Sequence, residues 1–158
     1  SNINITEIDL GISKVGKDFG CGFYLSADKA QALELAERKT EQLGVGTPTL
    51  NTYRFDESCL QNSSLSVLEF QEYSKEWAEF VLMNRRNRTR VSSHCYDIVI
   101  GPVADDNTME AIQLYIAGIL SADETVERLR YNKVNNQISF HTEKALESLE
   151  FIRRLAYE

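Results

Sequence analysis

Proline is nearly absent from this chain, with two in 158 residues, and so are the low-complexity runs that mark disordered linkers. Cysteine is scarce too. Cys21, Cys59 and Cys95 form no CxxC pair, and an odd count does not suit a disulfide framework, so a reducing, cytoplasmic setting is expected. No apolar run approaches the ~20 residues needed to cross a bilayer, and no secretory leader is evident. A surplus of positive charge is missing as well. The formal net charge is −7, an average field that repels nucleic acid and anionic lipid.

With 42% hydrophobic and 26% charged residues, residues 1–158 are expected to form a single domain with a sizeable core. "CGFYLS" is aromatic and apolar, follows Gly20, and reads as a strand. Ser26 suits an N-cap with Asp28 in the first turn, and Ala30, Leu33 and Ala36 give a buried helical stripe to about Gln42. "TLNTYRF" and "SVLEF" read as strands. Tyr73, Trp77, Phe80 and Val81 mark an amphipathic helix, and "YDIVIG" is a continuous apolar strand broken by Gly101-Pro102. A helix follows with Met109, Ile112, Ile116 and Ile119 on one face, then a short one from Ala122. "NNQISFH" is expected to be the last strand, and Ala145, Leu149, Ile152 and Ala156 mark a C-terminal helix. Strands and helices mix without regular alternation, which predicts an α+β fold.

The familiar chemical motifs are missing. "GKDFGCG" has neither the ending of a phosphate loop nor the spacing of a dinucleotide fingerprint, and there is no GxSxG elbow. His94 and His141, the only two histidines, have no second nitrogen or sulfur at zinc spacing, so no metal site is expected. In "SHCYD", alternation along a strand predicts Cys95 in the core and His94 at a surface. Asp105 and Asp106, like Glu143 and Glu147, stand where helix starts favour acids. Arg85, Arg86, Arg88 and Arg90 crowd a helix end, either as a solvated C-terminus or as a dock for a phosphate-bearing ligand or an acidic partner.

Two segments ask for more. In "GCGFYLS", glycines beside an aromatic pair let a ligand approach the backbone under a tyrosine ring. In "NNQISFH", alternation puts Gln137 and Ser139 on one face and Ile138 and Phe140 on the other. Taken in this order, "FGCGFYLSADKAQA" and "NNQISFH" resemble the ADP-ribosyltransferase superfamily, in the branch related to poly(ADP-ribose) polymerases and diphtheria toxin. Tyr24 matches the family's tyrosine, and Gln137 stands where the family usually carries glutamate. The stretches "GFYLSADKAQA", "YRFDES", "VLEF", "YDIVIGPVADD" and "FHTEKAL" resemble an uncharacterised bacterial domain family within that superfamily.

The resemblance implies a split antiparallel sheet with flanking helices and a cleft for NAD as substrate. Tyr24 and Gln137 would be catalytic, and Ser1, Phe19, Gly20, Gly22, Tyr24 and Gln137 would contact NAD. Ser1-Asn2 would continue a His-Gly-Ser ending, so a histidine and a glycine are expected upstream of Ser1. Nicotinamide would leave, and an acceptor on a protein, nucleic acid or small molecule would take a single ADP-ribose. The resemblance also implies a toxin restrained by a small antitoxin protein. Glutamine can hydrogen-bond but cannot titrate, so the alternative is a degenerate NAD- or ADP-ribose-binding or protein-interaction domain.

Overall fold

A computed structural model describes residues 1, 3–61, 64–130 and 135–157. Asn2, half of the Ser1-Asn2 continuation, lies outside the described residues. The elements in chain order are β1 (Phe23–Ser26), α1 (Lys29–Leu43), β2 (Thr49–Phe55), β3 (Val67–Glu69), α2 (Lys75–Arg86) and β4 (Ile98–Pro102). They continue with α3 (Asp106–Ile116), α4 (Ala122–Leu129), β5 (Asn136–Phe140), α5 (Glu143–Leu146) and β6 (Leu149–Ala156). The fold is mixed α+β, and its strands divide between two sheets, β1-β5-β4-β3 and β2-β6. β5 runs antiparallel to β1 and β4, but β3 pairs parallel with β4, so the sheet is mixed where a wholly antiparallel one was expected. The α2 crossover between β3 and β4 makes a parallel pair possible.

Local chemistry sets most boundaries. Asp28, not Ser26, caps α1: its carboxylate accepts the amides of Ala30 and Gln31, while Ser26 stays in β1 and receives the Asp28 amide. Gly44 closes that helix in the left-handed conformation at φ 64°. Ser74 caps α2, and Ser121 and Glu124 form a reciprocal capping box on α4. β4 is buried throughout, as a central apolar strand must be, and Pro102 does not break it. Ile100 O accepts Phe70 N on the β3 side, and Val103 N reaches Asn135 O on the β5 side. The intervening Pro102 nitrogen therefore points past the last β3 pair, where no ladder bond is lost.

The C-terminal expectation fails. Ala145 does sit in a helix, α5, but that helix ends at Leu146, and Leu149–Ala156 is a strand paired along the whole of β2. The helical spacing of Ala145, Leu149, Ile152 and Ala156 is overridden by a seven-residue ladder to β2. β5 is accordingly not the last strand. Ile119 also leaves its expected face, since α3 ends at Ile116 and Ile119 is exposed.

The larger sheet carries apolar clusters on both faces. Ile98, Ile100 and Phe140 pack with Ala145, Phe23, Leu25 and Ile138 on one side. On the other, Val99 and Tyr24 meet Phe19, Trp77, Val81 and Ile112. Trp77 is fully buried and donates its indole N–H to Pro102 O at 3.1 Å, which ties α2 to the end of β4. The α2 face of the sheet thus holds every polar β1 and β5 residue of interest.

Candidate functional site

Register brings the two sequence motifs together. Tyr24 lies opposite Ser139 and Ser26 opposite Gln137, so Tyr24, Ser26, Gln137 and Ser139 share one face of adjacent antiparallel strands. Tyr24 and Gln137 are diagonal neighbours, about 7–8 Å apart at such positions. The loop before β1 closes over this face. Gly20 turns it at φ 90°, and the Tyr24 hydroxyl accepts Phe19 N at 3.0 Å and donates to Gly20 O at 2.7 Å. The Tyr24 ring stacks on Phe19 with centroids 6.3 Å apart, and burial pushes its phenol well above the ordinary range. Over the same ring stands the Lys17 ammonium, 5.9 Å from the centroid.

The glycines are explained by protein contacts. A Cβ on Gly20 would sit 3.0 Å from Asn84 Oδ1, and one on Gly22 would sit 2.8 Å from both Phe140 O and His141 Nδ1. Phe19, expected at a cofactor, is fully buried in the core. Ser1 exchanges two backbone hydrogen bonds with Thr49 at the start of β2. Its ammonium pKa is lowered by burial and then by Lys39. Lys17 is lowered by burial, then by Lys39, with Asp18 opposing and Lys14 and Arg85 adding to the effect. Ser1 and Lys17 thus feel the same Lys39, and cationic charge collects beside Tyr24 in an acidic chain.

Asp18 is the residue that sequence reasoning passed over. Buried to 8% exposure, its Oδ1 takes Arg85 Nε at 2.7 Å, while Oδ2 takes Ala104 N at 3.0 Å and Gln137 Nε2 at 2.9 Å. Arg85 also donates to Ala104 O at 2.9 Å. No sequence signal foretells contacts across 67 and 119 residues. Two further arginines of the basic run are spent in the same way. Arg90 donates to the carbonyls of Leu10, Gly11 and Ser13, and Arg88 packs so closely on Gly16 that a Cβ there would lie 2.7 Å from Nη1.

His94 and Cys95 reverse their expected environments. Cys95 is exposed, and His94 is half-buried against Phe80 and Tyr96, because residues 94–97 form a loop and not a strand. His94 Nδ1 accepts Tyr96 N, so its Nε2 donates to Phe19 O at 2.7 Å. His141 packs edge-on against it with centroids 4.6 Å apart, and lies 2.7 Å from both Cys21 O and Ser139 Oγ. Burial lowers both imidazoles, and His141 falls to about 4. Ser139 is fully buried, which closes it to any outside substrate as a nucleophile. Among the described residues no group of three or more His, Cys, Asp or Glu is gathered to hold a metal.

A groove of about 470 Å³ lies away from Tyr24, on the smaller sheet, bounded by Ile8, Tyr53, Leu146, Phe151 and Arg154. A register shift at Thr52/Tyr53 puts Arg154 on the Phe151 side of the sheet, with its guanidinium 5.2 Å from that ring.

The fold and site define a mixed α+β domain with a polar cluster enclosed between a loop and one sheet face. Residues 1–151 match the family described as protein of unknown function DUF3990, and the chain belongs to that family. No curated protein and no solved structure matches it. No helix among the described residues is long and apolar enough to cross a membrane.

Proposed function

We propose that this chain is an ADP-ribosyltransferase-like domain that takes NAD as substrate, releases nicotinamide and passes a single ADP-ribose to an acceptor. The observation that carries this reading is the placement of Tyr24 and Gln137 on one face of the adjacent strands β1 and β5. Tyr24 would offer its ring to nicotinamide, in the place now held by the Lys17 ammonium. Gln137, whose Oε1 has no hydrogen-bond partner among the described residues, would accept from a ribose hydroxyl. The cations Lys14, Lys17 and Lys39 would face the diphosphate. A toxin held in check by a small antitoxin protein is the biological setting we propose.

Nicotinamide release from NAD, measured on the chain as it stands and extended by His-Gly before Ser1, tests the reading. Turnover that disappears in Tyr24→Ala supports it. Turnover undiminished in that variant overturns it.

A second reading rests on a different observation. The space at Gly20 and Gly22 is filled by Asn84, Phe140 and His141, and the 470 Å³ groove lies at Tyr53 and Phe151. A degenerate domain that binds NAD or ADP-ribose, or that works through a protein surface, would look like this. Calorimetry separates the two, since binding without nicotinamide release selects the second.

A further inference from the structure

Position 137 cannot be understood without Asp18. The two Asp18 oxygens accept only: Arg85 occupies Oδ1, and the Ala104 amide and Gln137 Nε2 share Oδ2. A carboxylate cannot receive the oxygen end of an amide, so the direction of the Gln137 side chain is fixed, with Nε2 inward and Oε1 toward the half-buried rim of the sheet face. Arg85 in turn is anchored by Ala104 O and belongs to the last turn of α2, so the carboxylate is held from three elements.

We propose that Asp18 is the positioning residue of this site: it turns the Gln137 carbonyl outward as a fixed hydrogen-bond acceptor and makes glutamate unsuitable at position 137. The negative charge of the site sits one residue deeper, on the loop, and the residue at the rim has to be an amide. That the acceptor serves a ribose hydroxyl rests on the function proposed above; the hold of Asp18 on position 137 does not.

A glutamate at 137 would place its carboxylate where Nε2 now stands, 2.9 Å from Asp18 Oδ2. Like charges at that separation hold one proton between them, with one site raised. Three variants read this out: Gln137→Glu, Asp18→Asn, and both together. Gln137→Glu is expected to melt about 5 °C below the parent. Carbon-detected NMR should find the new carboxyl at 137 titrating at least about one pH unit above an ordinary glutamate. In the double variant the amide at 18 can donate to the carboxylate at 137, although the Ala104 amide then loses the oxygen that accepts it. Part of the lost melting temperature should return, and the carboxyl should titrate at or below its ordinary value.

An ordinary titration in Gln137→Glu, or a double variant no more stable than Asp18→Asn, overturns the proposal. Calorimetry with NAD on the same proteins adds the functional arm. Binding about tenfold weaker in Gln137→Glu and regained in the double variant places the acceptor at the ligand. Should the parent bind no NAD, the functional reading falls, and titration and melting still decide whether Asp18 governs position 137.

Discussion

Acid should unfold this protein through His141 before its carboxylates are reached. The His141 ring is enclosed by Cys21 O, Ser139, His94 and Tyr24, and burial lowers its pKa from 6.5 to about 4. Its folded pKa lies below its unfolded one, so the unfolded chain takes a proton first as pH falls. The stability it contributes is present in full above about pH 6.5 and drains away as pH falls to about 4, below which both states are protonated. A difference of about 2.5 between the two values corresponds to about 3 kcal/mol. For a chain of this size that is a fall in melting temperature of roughly 6–12 °C. Urea denaturation at pH 7, 5.5 and 4, on wild type and His141→Gln, measures it. The variant is expected to be less stable at pH 7 and much flatter with pH. His94, lowered in the same direction, sits in both proteins, so the difference between their slopes isolates His141. The carboxylates of Asp56, Asp97 and Glu124 have lowered pKa values and lose their contribution only in the acid range, from about pH 4.5 downward. If His141→Gln loses as much stability between pH 7 and 4 as wild type, the reasoning is wrong.

Other consequences are open to measurement. Tyr24→Phe keeps the ring but leaves Gly20 O and Phe19 N without their partner, so denaturation should show a loss of about 1–3 kcal/mol while any stacking-dependent nicotinamide release survives. Gly22→Ala meets a backbone carbonyl, Phe140 O, at 2.8 Å, and should cost more stability than Gly44→Ala, where the added Cβ touches nothing and only the positive φ is strained. Trp77→Ala removes a fully buried ring and its bond to Pro102 O, for a loss of about 3–5 kcal/mol by urea titration. Ser121→Ala breaks the capping box of α4 and should cost about 1 kcal/mol, read in the same assay.

What could be read from the sequence follows how local each cause is. The β2 bounds match "TLNTYRF" because alternation is written in consecutive residues, and α2 announces itself through Trp77 and Val81 at helical spacing. β6 was hidden because its apolar residues satisfy a helical stripe as well, and only the ladder to β2, about a hundred residues away, decides between the two. Register on β5 was legible enough to put Gln137 and Ser139 on one face. The partners of that face were not. Asp18 meets Arg85 across 67 residues and Gln137 across 119, and a lone aspartate in "KDFG" carries no mark of it. His94 and Cys95 were misjudged for a related reason: a strand was assumed there, and a loop at 94–97 frees His94 to turn inward.

The two histidines and Tyr24 make sense together. Phe19, Gly20 and Cys21 lie in a loop without sheet partners, and their three consecutive carbonyls each need a donor if the loop is to lie against the core. His94 Nε2 supplies the first at 2.7 Å, the Tyr24 hydroxyl the second at 2.7 Å, and His141 Nδ1 the third at 2.7 Å. These donors come from the loop before β4, from β1 and from the end of β5. A ring N–H or O–H held by packing loses little rotamer freedom when it makes such a bond, which is why aromatic side chains suit the task better than lysine or glutamine. The same arrangement explains why the glycines are needed. With Asn84 against Gly20, and His141 and Phe140 O against Gly22, neither position has room for a side chain. A ligand at Tyr24 would therefore meet a loop already fixed on its inner side and a Gln137 carbonyl already turned outward, and only Lys17 would have to move.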